Sequence, residues 1–112
     1  MATIIVGASL ELWEAARIAG FYTPPDYAAE GFIHASTPRQ LPAVAAKHYH
    51  GRSNLVLLYV DAAMVRAEIR YEGRAGGEQY PHIYGPLNVD AVIEAVEVTA
   101  NADGSYTVPE AR

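Results

Sequence analysis

The segment Leu55–Val60 constrains the fold more than any other part of this sequence. It consists of Leu-Val-Leu-Leu-Tyr-Val and carries no charge. A strand that is covered on both faces has such a continuous apolar run, whereas a half-exposed strand alternates apolar and polar residues. We therefore predict a central strand here, with other elements packed on both of its faces.

Two helices are predicted before this central strand. Ser9 is a suitable N-cap and Gly20 a suitable C-terminal stop, so the residues between them predict the first helix, over 10–19. Thr37–Gln40 has the pattern of a capping box with proline at the first helical position. This pattern predicts a second helix, with Leu41, Val44, Ala45 and His48 at helical spacing and with its end near residue 49.

The remaining segments predict short strands and loops. The turn-forming residues of 21–31 predict a loop. Strands are expected at 4–6, 32–36, 69–72, 92–99 and 106–108, and a rigid, proline-bracketed aromatic segment at 80–87. The order of elements predicts an α+β fold with a small, split, mixed or mainly antiparallel sheet and two main helices. We expect one domain over residues 1–112, with its core at about 3–99 and a C-terminal strand and tail at 100–112.

Charge and composition bear on several classes of function. The net charge is −5, and the eight lysine and arginine residues are scattered, so no nucleic-acid partner is expected. No cysteine is present, and the N-terminus lacks the pattern of a signal peptide, which together favour a cytoplasmic protein. No apolar run approaches the roughly 18 residues that span a bilayer, so no membrane association is expected. The histidines lack a standard zinc spacing, so no metal site is predicted.

The segment 31–37 is the first candidate for a site. In an extended strand His34 and Ser36 share a face about 7 Å apart, and Thr37 lies where the next helix begins. An imidazole, hydroxyl groups and a helix N-terminus together favour a phosphate or a carboxylate. The alternative is structural, with His34 hydrogen-bonded in the core and Thr37 acting only as a cap.

The segment 78–86 is the second candidate. Two prolines and Gly85 restrict its backbone, as a binding site requires. If the segment is extended, one face carries Tyr80, His82 and Tyr84. The alternative is a purely structural aromatic corner. Glu72 and Glu78 flank the glycine-rich loop that ends at Gly77, and either carboxylate could orient a histidine, although most loop glutamates are simply solvated.

These segments together resemble a known family. Gly31–Thr37, Leu55–Leu58, Gly76–Glu78 and Pro81–Leu87, in this order and at this spacing, are similar to the signature of the bacterial domain-of-unknown-function family 952. The resemblance extends over about residues 4–98. It implies a fold similar to the ADP-ribosyltransferases, no established activity, and a NAD-like nucleotide as a possible ligand.

The resemblance also implies roles for individual residues. His34 matches the second histidine strand of the RNA 2′-phosphotransferase branch, and Glu78 and His82 are nearest to the late catalytic residue. The early polar position falls near Val6, where ligand-contacting relatives carry histidine or arginine. Valine there favours a protein that has lost the chemistry.

We therefore predict a pocket around His34 and His82, and three functions remain open. The first is binding of an anionic nucleotide-like or ribose-phosphate-like small molecule, with possible ADP-ribosyl-transferase-like or phosphotransferase-like chemistry. The second is a non-catalytic binding or regulatory module, and the third a paired-histidine phosphoesterase. The candidate catalytic residues are His34, His82 and Glu78. The candidate ligand-binding residues are Ser36, Thr37, Glu72, Gly77, Tyr84 and Gly85. The sequence does not decide between enzyme and binding protein, and it does not indicate an oligomeric state.

Overall fold

The computed structural model describes residues 2–106 of the chain. Its strands are β1 (Thr3–Ser9), β2 (Phe21–Tyr22), β3 (Ile33–His34), β4 (Leu55–Asp61), β5 (Glu68–Gly73), β6 (Gln79–Tyr84), β7 (Leu87–Asn88) and β8 (Val92–Val98). Its α-helices are α1 (Leu10–Ala19), α2 (Tyr27–Glu30) and α3 (Leu41–Val44). A π-helical segment, Ala45–Tyr49, continues α3, and short 3₁₀ turns lie at Ala62–Met64 and Val89–Ala91.

Strand β4 is the middle strand of the sheet β1-β4-β8, and both pairs are antiparallel. All seven of its residues are buried. Val56, Leu58 and Val60 pack into one hydrophobic cluster, while Leu55 and Leu57 pack into the other. Because alternate residues of one strand enter two cores, the predicted central strand with two covered faces is confirmed.

Two smaller antiparallel sheets complete the fold. One has the order β3-β6-β5, and the other pairs β2 with β7. All the named strand pairs are antiparallel, so the expected α+β class with a split sheet is confirmed. The likeness to the ADP-ribosyltransferase fold stays a prediction.

Helix α1 forms as its boundary residues predict. The Ser9 hydroxyl accepts a hydrogen bond from the backbone N–H of Leu12 at 3.3 Å. At the other end, Gly20 has a φ of 97°, a left-handed conformation that glycine adopts without steric cost, and its N–H donates to the carbonyl of Ala16. Trp13 and Ala16 are buried against the core.

The segment before His34 differs from the sequence prediction. Residues 21–31 are not only a loop, because they contain β2 and the one-turn helix α2. The predicted strand 32–36 is reduced to Ile33–His34, since the chain leaves the small sheet there. At Ser36 the chain instead makes a bridge to Ile5 of β1. Two-residue pairings and a single turn of helix leave too little periodicity to be recognised from sequence.

The second helix differs from the prediction in its final turn. An α-helical period predicted His48 at the end of the apolar stripe, but His48 is exposed and Tyr49 is buried instead. The cause is the π-helical segment, whose wider turns rotate the following residues around the axis. The buried stripe is therefore Leu41, Ala45 and Tyr49.

The end of the described chain agrees in part with the expected C-terminal strand. Tyr106 forms an isolated antiparallel bridge with Ala100. Thr107 and Val108, the rest of that predicted strand, lie outside the described residues. Over residues 2–106, no helix is both long enough and apolar enough to cross a bilayer.

Candidate functional site

The antiparallel pairing of β3 with β6 places His34 directly opposite His82. The two imidazole rings meet edge to face, with centroids 5.3 Å apart. Phe32 supports both of them: its ring stacks on His82 at 4.2 Å and meets His34 edge-on at 4.8 Å. The structure therefore brings the two predicted histidines together, and an aromatic platform limits their motion.

A carboxylate holds His82 in place. Glu72 Oε1 lies 2.8 Å from His82 Nδ1 and also accepts a hydrogen bond of 2.5 Å from the Tyr84 hydroxyl. The Tyr84 hydrogen bond and, next, the His82 contact lower the pKa of Glu72, and the same carboxylate raises the pKa of Tyr84. Glu72 is therefore an ionised acceptor that orients an imidazole and a phenol on one face of the small sheet.

His34 has a carboxylate partner that the sequence analysis did not single out. Glu30 Oε1 lies 2.8 Å from His34 Nε2, and this contact lowers the pKa of Glu30. Asp26 lies one helical turn earlier, and one oxygen or nitrogen atom of each of Asp26, Glu30 and His34 lies within 4.8 Å of the others. The signal in the sequence is their spacing of four residues, which the helix α2 and the left-handed Gly31, with a φ of 83°, convert into proximity.

Both histidines line an open cleft with a volume of about 930 Å³. Its walls come from β1, from the small sheet and from the helical segment α3 with its π-helical continuation. The apolar and aromatic part of the lining includes Val6, Leu12, Tyr22, Ile33, Tyr49 and Tyr80. Burial raises the pKa of Tyr22 to about 12, so this phenol stays neutral at physiological pH.

The π-helical segment and the residues after it contribute positively charged side chains to the lining of the cleft. The chain has eight lysine and arginine residues, and Arg112 lies outside the described part. Of the other seven, four are paired with carboxylates. Within residues 2–106, Lys47, Arg52 and Arg74 have no carboxylate within 4.0 Å. Lys47 and Arg52 line the cleft together with His48. These side chains were not predicted from the sequence, because only the fold reveals that they share a cleft with His34.

Glu78 does not join the histidines, although the sequence analysis grouped it with them. Its carboxylate accepts hydrogen bonds from Arg39 at 2.6 Å and from Gln40 at 2.7 Å, and these contacts lower its pKa, with Gln40 the larger cause. Gln40 also donates to the backbone carbonyl of Gln79. Glu78 therefore ties the start of β6 to the turn before α3, and Glu72 takes the place beside His82.

Ser36 and Thr37 also lie apart from the cleft lining. The Ser36 side chain is fully buried, and no hydrogen-bond partner for its hydroxyl occurs among residues 2–106. Thr37 forms the predicted capping box: its hydroxyl accepts from the N–H of Gln40, and its own N–H donates to the Gln40 side chain. Because these groups satisfy one another, the expected anion site at this helix start is largely filled by the protein itself.

The two predicted glycine positions serve the backbone. Gly77 closes a turn in which its N–H donates to the carbonyl of Arg74 at 2.9 Å. A side chain at Gly85 would place its Cβ 2.8 Å from the Cβ of Ala67, so close packing requires glycine there. Neither glycine lies in the lining of the cleft.

Comparisons with known proteins support the fold. The family model described as "Protein of unknown function (DUF952)" matches residues 8–95. The crystal structure of protein CC0527 from Caulobacter crescentus superposes with a TM-score of 0.84 at 35% sequence identity, over 94% of this chain and 93% of that chain. The crystal structure of its double mutant gives the same values. The solution NMR structure of CC0527 gives 0.78 at 36% identity, over 94% and 91%. Among curated proteins, none matches this chain. With the family model covering most of its length, the chain belongs to the DUF952 family.

Proposed function

We propose that the cleft binds a small ligand that carries a phosphate or carboxylate group. The observation that carries this proposal is the presence of Lys47 and Arg52 in the cleft lining without a carboxylate partner among the described residues. Arg52 lies over the ring of Tyr49, 5.4 Å from its centroid, but in the described part of the chain neither cation has a carboxylate beside it, in a protein of net charge −5. An anionic group on the ligand supplies the missing partner.

The size and lining of the cleft favour a nucleotide or a ribose phosphate over a bare anion. A volume of about 930 Å³ is at the upper end of the range for small-molecule sites. Tyr80 offers aromatic surface for a planar base, and the imidazoles of His34 and His82 offer hydrogen bonds to sugar hydroxyls or phosphate oxygens. The ligand is therefore expected to contact both the cationic side and the histidine side of the cleft.

Ligand-induced stabilisation tests the proposal. Thermal unfolding is followed with inorganic phosphate, ribose 5-phosphate, AMP, ADP-ribose and NAD, in the presence of a chelator. A ligand at about one hundred times its Kd stabilises the native state by roughly 2.7 kcal/mol. The double variant Lys47→Gln/Arg52→Gln is expected to lose this stabilisation. Arg74→Gln is the matched control, because Arg74 is also unpaired in the described chain but lies outside the cleft lining.

Two results would overturn the proposal. One is the absence of any rise in unfolding temperature with millimolar concentrations of all five compounds. The other is a rise that the double variant and the Arg74→Gln control retain equally, because binding would then take place elsewhere on the protein.

The register of β3 and β6 favours a second candidate, hydrolysis of a phosphoester by the two histidines. His34 and His82 are direct cross-strand neighbours, so both imidazoles project from one face of the sheet, where a general acid and a general base could act on the same phosphate group. Turnover of a cyclic phosphodiester that is lost in His34→Gln and in His82→Gln would support this candidate. Binding without turnover would instead support a non-catalytic module, in agreement with the buried Val6 at the position where the resemblance implies histidine or arginine in ligand-contacting relatives.

A further inference from the structure

One wall of the cleft carries a cluster of two carboxylates and one imidazole, from Asp26, Glu30 and His34. The three residues follow one another at intervals of four along α2 and into β3. One ligand atom from each lies within 4.8 Å of the others. All three line the cleft, and all three are exposed, so an ion could reach them from solvent.

The negative charge of this cluster lacks a lysine or arginine counter-ion. Within residues 2–106, no lysine or arginine nitrogen lies within 4.0 Å of the carboxylates of Asp26 or Glu30. The neighbours of the Glu30 carboxylate within this cluster are His34, at 2.8 Å, and Asp26. Elsewhere in the described chain the exposed carboxylates of Glu14, Glu68 and Asp90 each pair with an arginine. Exposed Glu11 and Glu97 also have no lysine or arginine nitrogen within 4.0 Å among these residues, so the distinguishing feature of this cluster is that two carboxylates and an imidazole lie together.

The surrounding structure restricts the imidazole of this cluster. Phe32 meets the His34 ring edge-on at 4.8 Å, and His82 meets it at 5.3 Å with an interplanar angle of 81°. His82 is held in turn by Glu72. The ring that would donate the nitrogen ligand therefore has aromatic neighbours on the sheet side, while its Nε2 is directed toward Glu30.

We propose that Asp26, Glu30 and His34 bind a divalent first-row transition ion such as Zn²⁺ on the wall of the cleft. Imidazole and carboxylate ligands suit Zn²⁺, and three protein ligands with an open position are typical of exchangeable, non-structural sites. Ligand atoms about 2.0–2.2 Å from a tetrahedral ion lie roughly 3.3–3.6 Å apart. To bind the ion, the Glu30 and His34 ligand atoms, now 2.8 Å apart, must move slightly apart. The widest separation in the cluster, 4.8 Å, must shorten, and rotation of the exposed Asp26 side chain can achieve this.

This proposal is independent of the anionic ligand, and the two are separable by experiment. The metal is titrated without any phosphate compound, whereas the anion screen is performed with a chelator. A positive result in one and a negative result in the other therefore identifies which proposal fails. If both hold, the open coordination position lies in the same cleft as Lys47 and Arg52.

The test is titration of the full chain with Co²⁺ and Zn²⁺. Co²⁺ is expected to give visible absorption bands that Zn²⁺ abolishes by competition, and Zn²⁺ is expected to raise the unfolding temperature. Loss of one ligand in Glu30→Gln or His34→Gln is expected to weaken binding by about tenfold or more. The matched controls are Glu14→Gln and His50→Gln, because Glu14 and His50 are exposed and lie outside the cleft lining.

Circular dichroism of each variant verifies that it is folded, and Asp26→Asn provides a third ligand substitution of nearly unchanged volume. The proposal is overturned if the wild-type chain binds neither ion at roughly millimolar concentration. It is also overturned if His50→Gln weakens binding as much as His34→Gln does, since the ion would then occupy other surface histidines.

Discussion

Substitution of Gly7 by alanine tests how closely the cleft floor is packed. Gly7 lies in β1 opposite Leu57 and lines the cleft together with Tyr49. A Cβ at this position would lie 2.5 Å from Cζ and from the hydroxyl oxygen of Tyr49 and 2.8 Å from its Cε1. Ordinary contact begins at 3.4 Å, so the tip of the tyrosine ring must retreat by about 1 Å.

The expected cost follows from the surroundings of Tyr49. Its side chain is only 7% exposed and belongs to a cluster that includes Ile5, Leu41 and Leu57. Overpacking of a dense cluster costs about 1–3 kcal/mol. Without the clash, alanine in a strand would instead be more favourable than glycine by roughly 0.5–1 kcal/mol. Relative to an alanine that met no obstacle, the clash is therefore expected to lower the free energy of unfolding by about 1.5–4 kcal/mol.

A double-mutant cycle isolates this contact. Gly7→Ala is measured by urea denaturation in the wild-type, Tyr49→Leu and Tyr49→Phe backgrounds. Leucine lacks the clashing atoms, so Gly7→Ala is expected to become neutral or stabilising there, whereas phenylalanine retains Cζ and Cε1 and should preserve the cost. The same effect of Gly7→Ala in all three backgrounds would show that the ring does not cover Gly7.

Three further predictions concern the core, a buried hydroxyl and a surface carboxylate. Leu57→Ala should lower the free energy of unfolding by about 2–5 kcal/mol in urea denaturation, because Leu57 is fully buried, whereas Ile93→Ala, at a side chain that is 58% exposed, should change it little. Ser36→Ala should not lower the unfolding temperature, because the buried hydroxyl has no partner among residues 2–106; a clear loss would reveal a bond that the structure lacks. Glu78→Gln should flatten the acid side of the stability curve. The folded-state pKa of Glu78 lies below its usual value of 4.5, so its contribution to the free energy of unfolding is present above that value and is lost as the pH falls through the lowered pKa. Urea denaturation from about pH 6 to pH 3 measures how steeply the free energy of unfolding depends on pH. The same pH dependence in the wild type and in Glu78→Gln would contradict the role of Gln40 and Arg39.

The elements that the sequence predicts correctly have strong local signals. Strand β4 has an uninterrupted apolar run, and α1 has both an N-cap and a left-handed glycine at its end. The capping box at Thr37 and Gln40 also forms, since its two hydrogen bonds depend only on residues three apart. Because such signals depend on neighbouring residues in the sequence, the elements that they predict are found in the structure.

The elements that the sequence does not predict depend on distant partners. Strand β2 exists because Phe21 and Tyr22 pair with Leu87 and Asn88, more than sixty residues away. The π-helical segment Ala45–Tyr49 was not predicted, and it brings Tyr49 rather than His48 into the core. The same displacement leaves His48 exposed in the cleft, so one error in helical period changes both the core and the candidate site.

Glu72 and Glu78 show why a candidate site needs the register of the strands. Both glutamates flank the same glycine-rich loop, and the sequence analysis offered either one as a partner for a histidine. In the β5–β6 pairing, Arg70 lies opposite His82 and Glu72 opposite Tyr80. Glu72 is therefore the diagonal neighbour of His82, within reach of its ring. Glu78 lies one residue before β6, and its carboxylate is bound by Gln40 and Arg39. Glu78 precedes the strand that carries His82 and lies four residues, roughly 13 Å of extended chain, before it. The carboxylate that reaches His82 must therefore come from the paired strand β5, at the position that the register selects.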